Sequence, residues 1–127
     1  MRWSRLAPAW MLFCLSASVA AAPPTPLPDG AYQFRWKDAE FPNSTGFPVR
    51  VEIAGTEIRV VKENSEGPAP VGELERATLM WHSKSGKWIL GSDETDSLAP
   101  SVGGCGDGDP HVIDFETREI WTCEWGP

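Results

Sequence analysis

Gly103 to Phe115, GGCGDGDPHVIDF, gathers residue types that bind cations or move protons. Asp107 and Asp109 stand at alternate positions beside Gly106 and Gly108, and His111 follows. Carboxylate oxygens at alternate positions around glycine-made bends follow the logic of a calcium loop. The helix–loop–helix calcium pattern needs more: further oxygen donors at fixed spacing and flanking helices. Pro110 interrupts the spacing and no helical periodicity flanks the segment. Aspartate and glycine also build tight turns for purely mechanical reasons, and a proline is tolerated at the first position of a strand. The segment is therefore read as a turn pinned by a disulfide, with Asp107 and Asp109 as the ligands if a cation binds at all. A zinc site from Cys105, Asp109 and His111 would need Cys105 as a thiolate, and a disulfide to Cys123 is the better use of that residue.

Catalytic patterns are sparse. The chain has no G-x-S-x-G elbow, and its only other cysteine, Cys14, lies in the N-terminal apolar run. Eighteen acidic residues make a hydrolytic carboxylate pair possible without singling one out. No cofactor motif is present, so none is expected. Asp93-Glu94-Thr95-Asp96 forms a local acidic cluster on a long connection. It reads either as a solvated loop or as a docking site for a cationic partner through Asp93, Glu94 and Asp96. Trp88 begins a strand beside a turn and Trp125 follows Cys123 near the C-terminus, so either could stack on a sugar or a protein partner. Asn43-Ser44-Thr45 is an N-glycosylation sequon that matters only in a host that glycosylates.

The N-terminus places these groups outside the cytoplasm. Arg2 and Arg5 precede an uncharged apolar run from Ala7 to Val19, and Ala20, Ala21 and Ala22 follow. That order is a secretory signal peptide over residues 1–22, of bacterial type, with the protein periplasmic or secreted. The run is too short to span a bilayer comfortably, so no membrane-spanning segment is expected after cleavage. Residues 23–29 are a Pro-rich tether, and residues 30–127 form a single β domain of about a hundred residues. Losing Arg2 and Arg5 takes the 11 basic residues to 9 against 18 acidic ones, a formal charge of −9. That balance disfavours nucleic acid and anionic membranes as partners. Cys105 and Cys123 are then an even pair in an oxidising compartment and read as one disulfide.

The elements that must carry these groups are strands. AYQFRWK alternates Tyr32, Phe34 and Trp36 with polar residues, the period of a half-buried strand. Val49 to Glu63 alternates on both sides of Ala54-Gly55-Thr56 and reads as a hairpin. Glu73 to Ser83 and KWILG flank Ser83-Lys84-Ser85-Gly86, a second hairpin, and HVIDF and EIWTCE flank a third. A helix from Val71 to Trp81 is the main alternative, and the alternation from Ala77 onward favours strand. Trp36, Trp81 and Trp121 are expected in the core. The fold class expected is all-β: a small antiparallel meander of about seven strands closing into a barrel or sandwich, with one disulfide. The functional reading is an exported, non-enzymatic binding or inhibitory module that meets an unknown basic protein or envelope glycan through its loops. The alternatives are a calcium-binding envelope protein using residues 105–111 and a small hydrolase with a carboxylate pair.

Overall fold

The computed structural model describes residues 22–125. Residues 1–21, and with them nearly all of the expected signal peptide, lie outside the described residues. Seven strands follow in order: β1 (Gly30–Asp38), β2 (Phe47–Ala54), β3 (Glu57–Lys62), β4 (Gly72–His82), β5 (Lys87–Gly91), β6 (His111–Asp114) and β7 (Glu119–Thr122). Each pairs with the next, and β1 pairs with β7, giving a closed barrel in meander order. The sequential pairs are antiparallel and the closing pair is parallel. An odd number of strands requires this, because the first and last strands of an odd meander run the same way. Closure removes the unpaired edges that a small open sheet would expose.

The period-two pattern works through the pleat. In β1, β2 and β3 the inward residues are Phe34 and Trp36, Val49, Val51 and Ile53, and Ile58 and Val60, all at most 4% exposed. Leu79, Leu90, Ile113, Phe115 and Ile120 complete the core from the later strands. Trp36 stacks on Phe47, and Phe34 meets Phe115 edge to face. On the outer wall of β2–β4, Arg50, Glu52, Arg59, Glu63, Glu73 and Arg76 form a solvated network of ion pairs.

Two tryptophans expected in the core are not there. Trp81 and Trp121 are half-buried. In β7 the alternation takes its other phase, with Ile120 and Thr122 inward and fully buried. Trp121 faces out, where the Lys37 ammonium lies 5.0 Å from its ring centre. Trp81 shares the phase of Ala77 and Leu79 but sits at the strand end, beyond the filled interior. His82 is the buried residue there, 1% exposed. A bulge lies between β3 and β4: Val60 faces Glu75 and Val61 faces Glu73, leaving Leu74 as the extra residue. Glu75, paired with Val60 just before the bulge, keeps the phase of Ala77 and Leu79 and faces the barrel mouth.

The two ends of the barrel differ. At one end lie the three tight hairpin turns, 55–56, 83–86 and 115–118, together with the incoming chain at 22–29. At the other lie the long connections 39–46, 63–71 and 92–110 and the outgoing chain after Thr122. The last of these connections folds back over the outer wall of β4–β6. His82 Nε2 meets the Ala99 carbonyl at 2.7 Å, and Gly103 N donates to the Pro110 carbonyl at 2.7 Å. Gly103 has φ 70, and a Cβ there would meet the Val112 side chain at 2.7 Å, so both the turn and the close approach require glycine. The Cys105–Cys123 disulfide, with Cα atoms 5.0 Å apart, fastens the connection to the residue after β7.

Candidate binding groove at the hairpin end

The acidic groups expected to do chemistry sit on the long connections, and three of them, Asp93, Asp96 and Asp109, are engaged in local hydrogen bonds. Asp109 Oδ1 accepts from Ser101 Oγ at 2.5 Å and its Oδ2 from Gly106 N at 3.2 Å. Asp109 N in turn donates to the Gly106 carbonyl at 3.1 Å. The carboxylate thus closes the turn that contains it, while Asp107 is exposed beside it. Among the described residues, Asp38, Glu40, Cys105 and Cys123 are the one group whose donor atoms converge, all within 4.8 Å, and its two sulfurs are joined in the disulfide.

Asp93 and Asp96 are likewise engaged. A single 3-10 turn, Glu94–Leu98, forms where the sequence suggested only a solvated loop or docking site. Asp93 is its N-cap and accepts from Thr95 N at 2.9 Å and Thr95 Oγ1 at 3.0 Å, bonds that lower its pKa. Asp96 Oδ2 reaches back to Ser92 N at 2.7 Å and Asp93 N at 3.2 Å, completing a capping box. Glu94, the third acid of the cluster, is exposed.

His111 lies at the mouth on the same end. Its Nδ1 is 2.7 Å from Glu75 Oε1 and its Nε2 is 3.5 Å from Glu124 Oε2, with the Trp36 ring edge-on at 5.6 Å. Burial acts to lower its pKa, but the hydrogen bond and charge of Glu75, helped by Glu124, outweigh it and hold the value above ordinary histidine. Lys62 is fully buried nearby, its ammonium bonded to the Asn64 carbonyl at 2.6 Å and 5.4 Å from the Phe47 ring centre. Trp125, 42% exposed with φ 62, lines a small recess of about 160 Å³ with Trp36 and Phe47.

A larger recess lies at the opposite, hairpin end. It is a groove of about 410 Å³ at the rim of β4–β7, lined by Trp81 and Trp88, which share the inward phase, and by Trp121 from the outer face of β7. Trp81 and Trp88 face each other directly across the β4–β5 hairpin, their rings 5.2 Å apart and inclined at 68°. Such an edge-to-face pair holds both rings in place. Trp88 also packs against the core and edge-on to Phe115, 6.4 Å away. Lys87, Asp114 and Glu116 supply the polar rim. Asp114 Oδ1 accepts from Glu116 N and Thr117 N, bracing the β6–β7 turn. Of the two tryptophans expected to meet a ligand, Trp88 therefore lies in the groove and Trp125 at the far end.

Trp81 and Trp121 were expected in the core and not at a site, and Lys87, Asp114, Phe115 and Glu116 were not singled out by sequence. The signal for the first was present: a turn at Ser83–Gly86 sets Trp81 opposite Trp88 by simple register counting. Comparison of the chain with protein-family models, with curated proteins and with solved structures finds no match.

Proposed function

We propose that this barrel is an exported, non-enzymatic binding module whose ligand surface is the aromatic groove at its hairpin end. The observation that carries this reading is the placement of Trp81, Trp88, Phe115 and Trp121 around one recess of about 410 Å³. Ordered aromatic rings offer large contact area at little entropic cost, which is why they dominate binding hot spots. The acidic connections first suspected of this role have Asp93, Asp96 and Asp109 engaged within their own turns. Their part is to build the wall behind β4–β6, and the net negative charge of the whole chain biases the choice of partner towards a basic one.

The test uses two defined probe panels, short extended peptides and soluble envelope-glycan fragments, with tryptophan fluorescence as the readout. Saturable binding by a member of either panel, weakened roughly 30-fold in Trp81→Ala, is expected for a hot-spot ring. Binding that is untouched in Trp81→Ala and Trp121→Ala but lost in a variant neutralised at Asp93, Glu94 and Asp96 would return the site to the long connections.

A further inference from the structure

Building on the groove reading above, we propose that the occupant of the groove is a proline-rich, basic, extended segment of a partner protein. The chain supplies its own stand-in. Pro26, from the Ala-Pro-Pro-Thr-Pro-Leu-Pro run at 22–28, lines the groove beside Trp81 and Trp88. Its position is fixed from the C-terminal side. Leu27 packs against the core, Tyr32 OH donates to the Pro28 carbonyl at 2.7 Å, and Asp29 Oδ1 accepts from Gly55 N at 2.9 Å. The anchor at 27–29 thus holds Pro26 at the groove.

The chemistry of that contact is specific. A proline-rich run prefers the polyproline II helix, has few backbone donors of its own, and loses little entropy on binding. Grooves lined by aromatic rings recognise such chains by seating proline rings between the aromatic faces. The Trp81–Trp88 pair, with Trp121 lining the same recess at the rim, is a lining of that kind. Charge narrows the choice further: Asp114 and Glu116 outnumber Lys87 on the rim, and the chain carries 18 acidic residues against 11 basic ones. A partner segment with arginine or lysine beside its prolines would be drawn to this surface, as the chain's own uncharged 22–28 would not.

A short covalent link gives the cis segment a high effective concentration, so it competes with a partner for the same rings. Weakening the cis contact should therefore strengthen binding in trans. The experiment titrates two synthetic peptides into the chain beginning at Pro23 and follows tryptophan fluorescence. One peptide carries Pro-Pro-Thr-Pro-Leu-Pro between arginines, and the other has each proline replaced by serine at equal charge. The same titrations are run on the Pro24→Ser/Pro26→Ser variant, which leaves the 27–29 anchor intact, and on Trp81→Ala, whose ring lies outside the core.

The proline peptide is expected to bind saturably, about tenfold more weakly once its prolines are removed. Its affinity should rise several-fold in Pro24→Ser/Pro26→Ser and fall at least tenfold in Trp81→Ala. Equal binding of the two peptides would overturn the proposal, as would unchanged affinity in the proline variant. Glycan fragments that bind while both peptides fail would overturn it and leave the groove reading standing. Failure of every probe of both classes would remove both.

Discussion

The two ends of this barrel use their polar and aromatic residues in opposite ways. The long-connection end carries the chemically suggestive sequence, with its aspartates, histidine and cysteines, and most of those groups bond to one another. Asp109 closes its own turn, Asp93 and Asp96 cap a 3-10 turn, and Cys105 is joined to Cys123. The hairpin end has turns too short to fold back over it, and aromatic rings are left facing solvent there. A long connection must satisfy its own backbone and side-chain polar groups, so its conspicuous residues are often the ones that hold it together. The tight hairpins use single side chains for this, Asp114 in one and His82 in another, and leave the rings of Trp81 and Trp88 to line the recess.

The largest effect that separates the two ends should come from the disulfide. Replacing Cys105 and Cys123 by serine should cost about 3 kcal/mol, the loop-closure value for their spacing, and lower the melting temperature by ten degrees or more. Thermal unfolding with and without reductant measures it. Affinity for any groove ligand should be unchanged at temperatures where the variant is folded. Next comes His82→Leu, which leaves the Ala99 carbonyl and Ser85 hydroxyl without the imidazole they meet at 2.7 Å. A loss of about 1–3 kcal/mol in a denaturant titration is expected, again without effect on binding.

A smaller and pH-dependent effect is expected at His111. Its pKa is raised in the folded protein by Glu75 and Glu124. The unfolded chain therefore loses its proton first as pH rises, and the stabilisation is complete below the unfolded value of about 6.5. It fades as pH climbs through the raised folded value. Melting temperature should accordingly fall over that window in the parent chain, and the fall should flatten in His111→Gln. The smallest effect is expected for calcium. With the Asp109 carboxylate already bonded to Ser101 and Gly106, excess calcium followed by chelator should move the melting temperature by less than about one degree. A rise of several degrees would restore the calcium reading of residues 105–111.

Much of the fold was legible because period two and turn chemistry agree along the chain. The alternation of Phe34 and Trp36, the hairpin at Gly55 and the disulfide all follow from local rules. The need to hide two edges left a barrel and a sandwich both open, and the β1–β7 pairing decides for the barrel. The phase of β7 was not legible. In a strand of four residues, Ile120 and Thr122 alternate as regularly as Trp121 does with its neighbours, and side-chain size pointed to the wrong set. Trp81 has the inward phase, but the taper of the interior at a barrel end is a tertiary property that no strand records by itself. The bulge that leaves Leu74 without a partner has the same origin, because it depends on how β3 and β4 meet. The groove was half legible: hairpin register pairs Trp81 with Trp88, but the placement of β7 and of Pro26 beside them depends on how β5, β6 and the incoming chain pack.

The most direct test is a map of indole N–H chemical shifts while the arginine-flanked proline peptide, and separately a glycan fragment, is added to isotope-labelled protein. Shifts confined to Trp81, Trp88 and Trp121, with Trp125 unmoved, are the expected result. Shifts at Trp125 and along residues 92–110, with the hairpin-end indoles silent, would contradict the assignment of binding to the aromatic end.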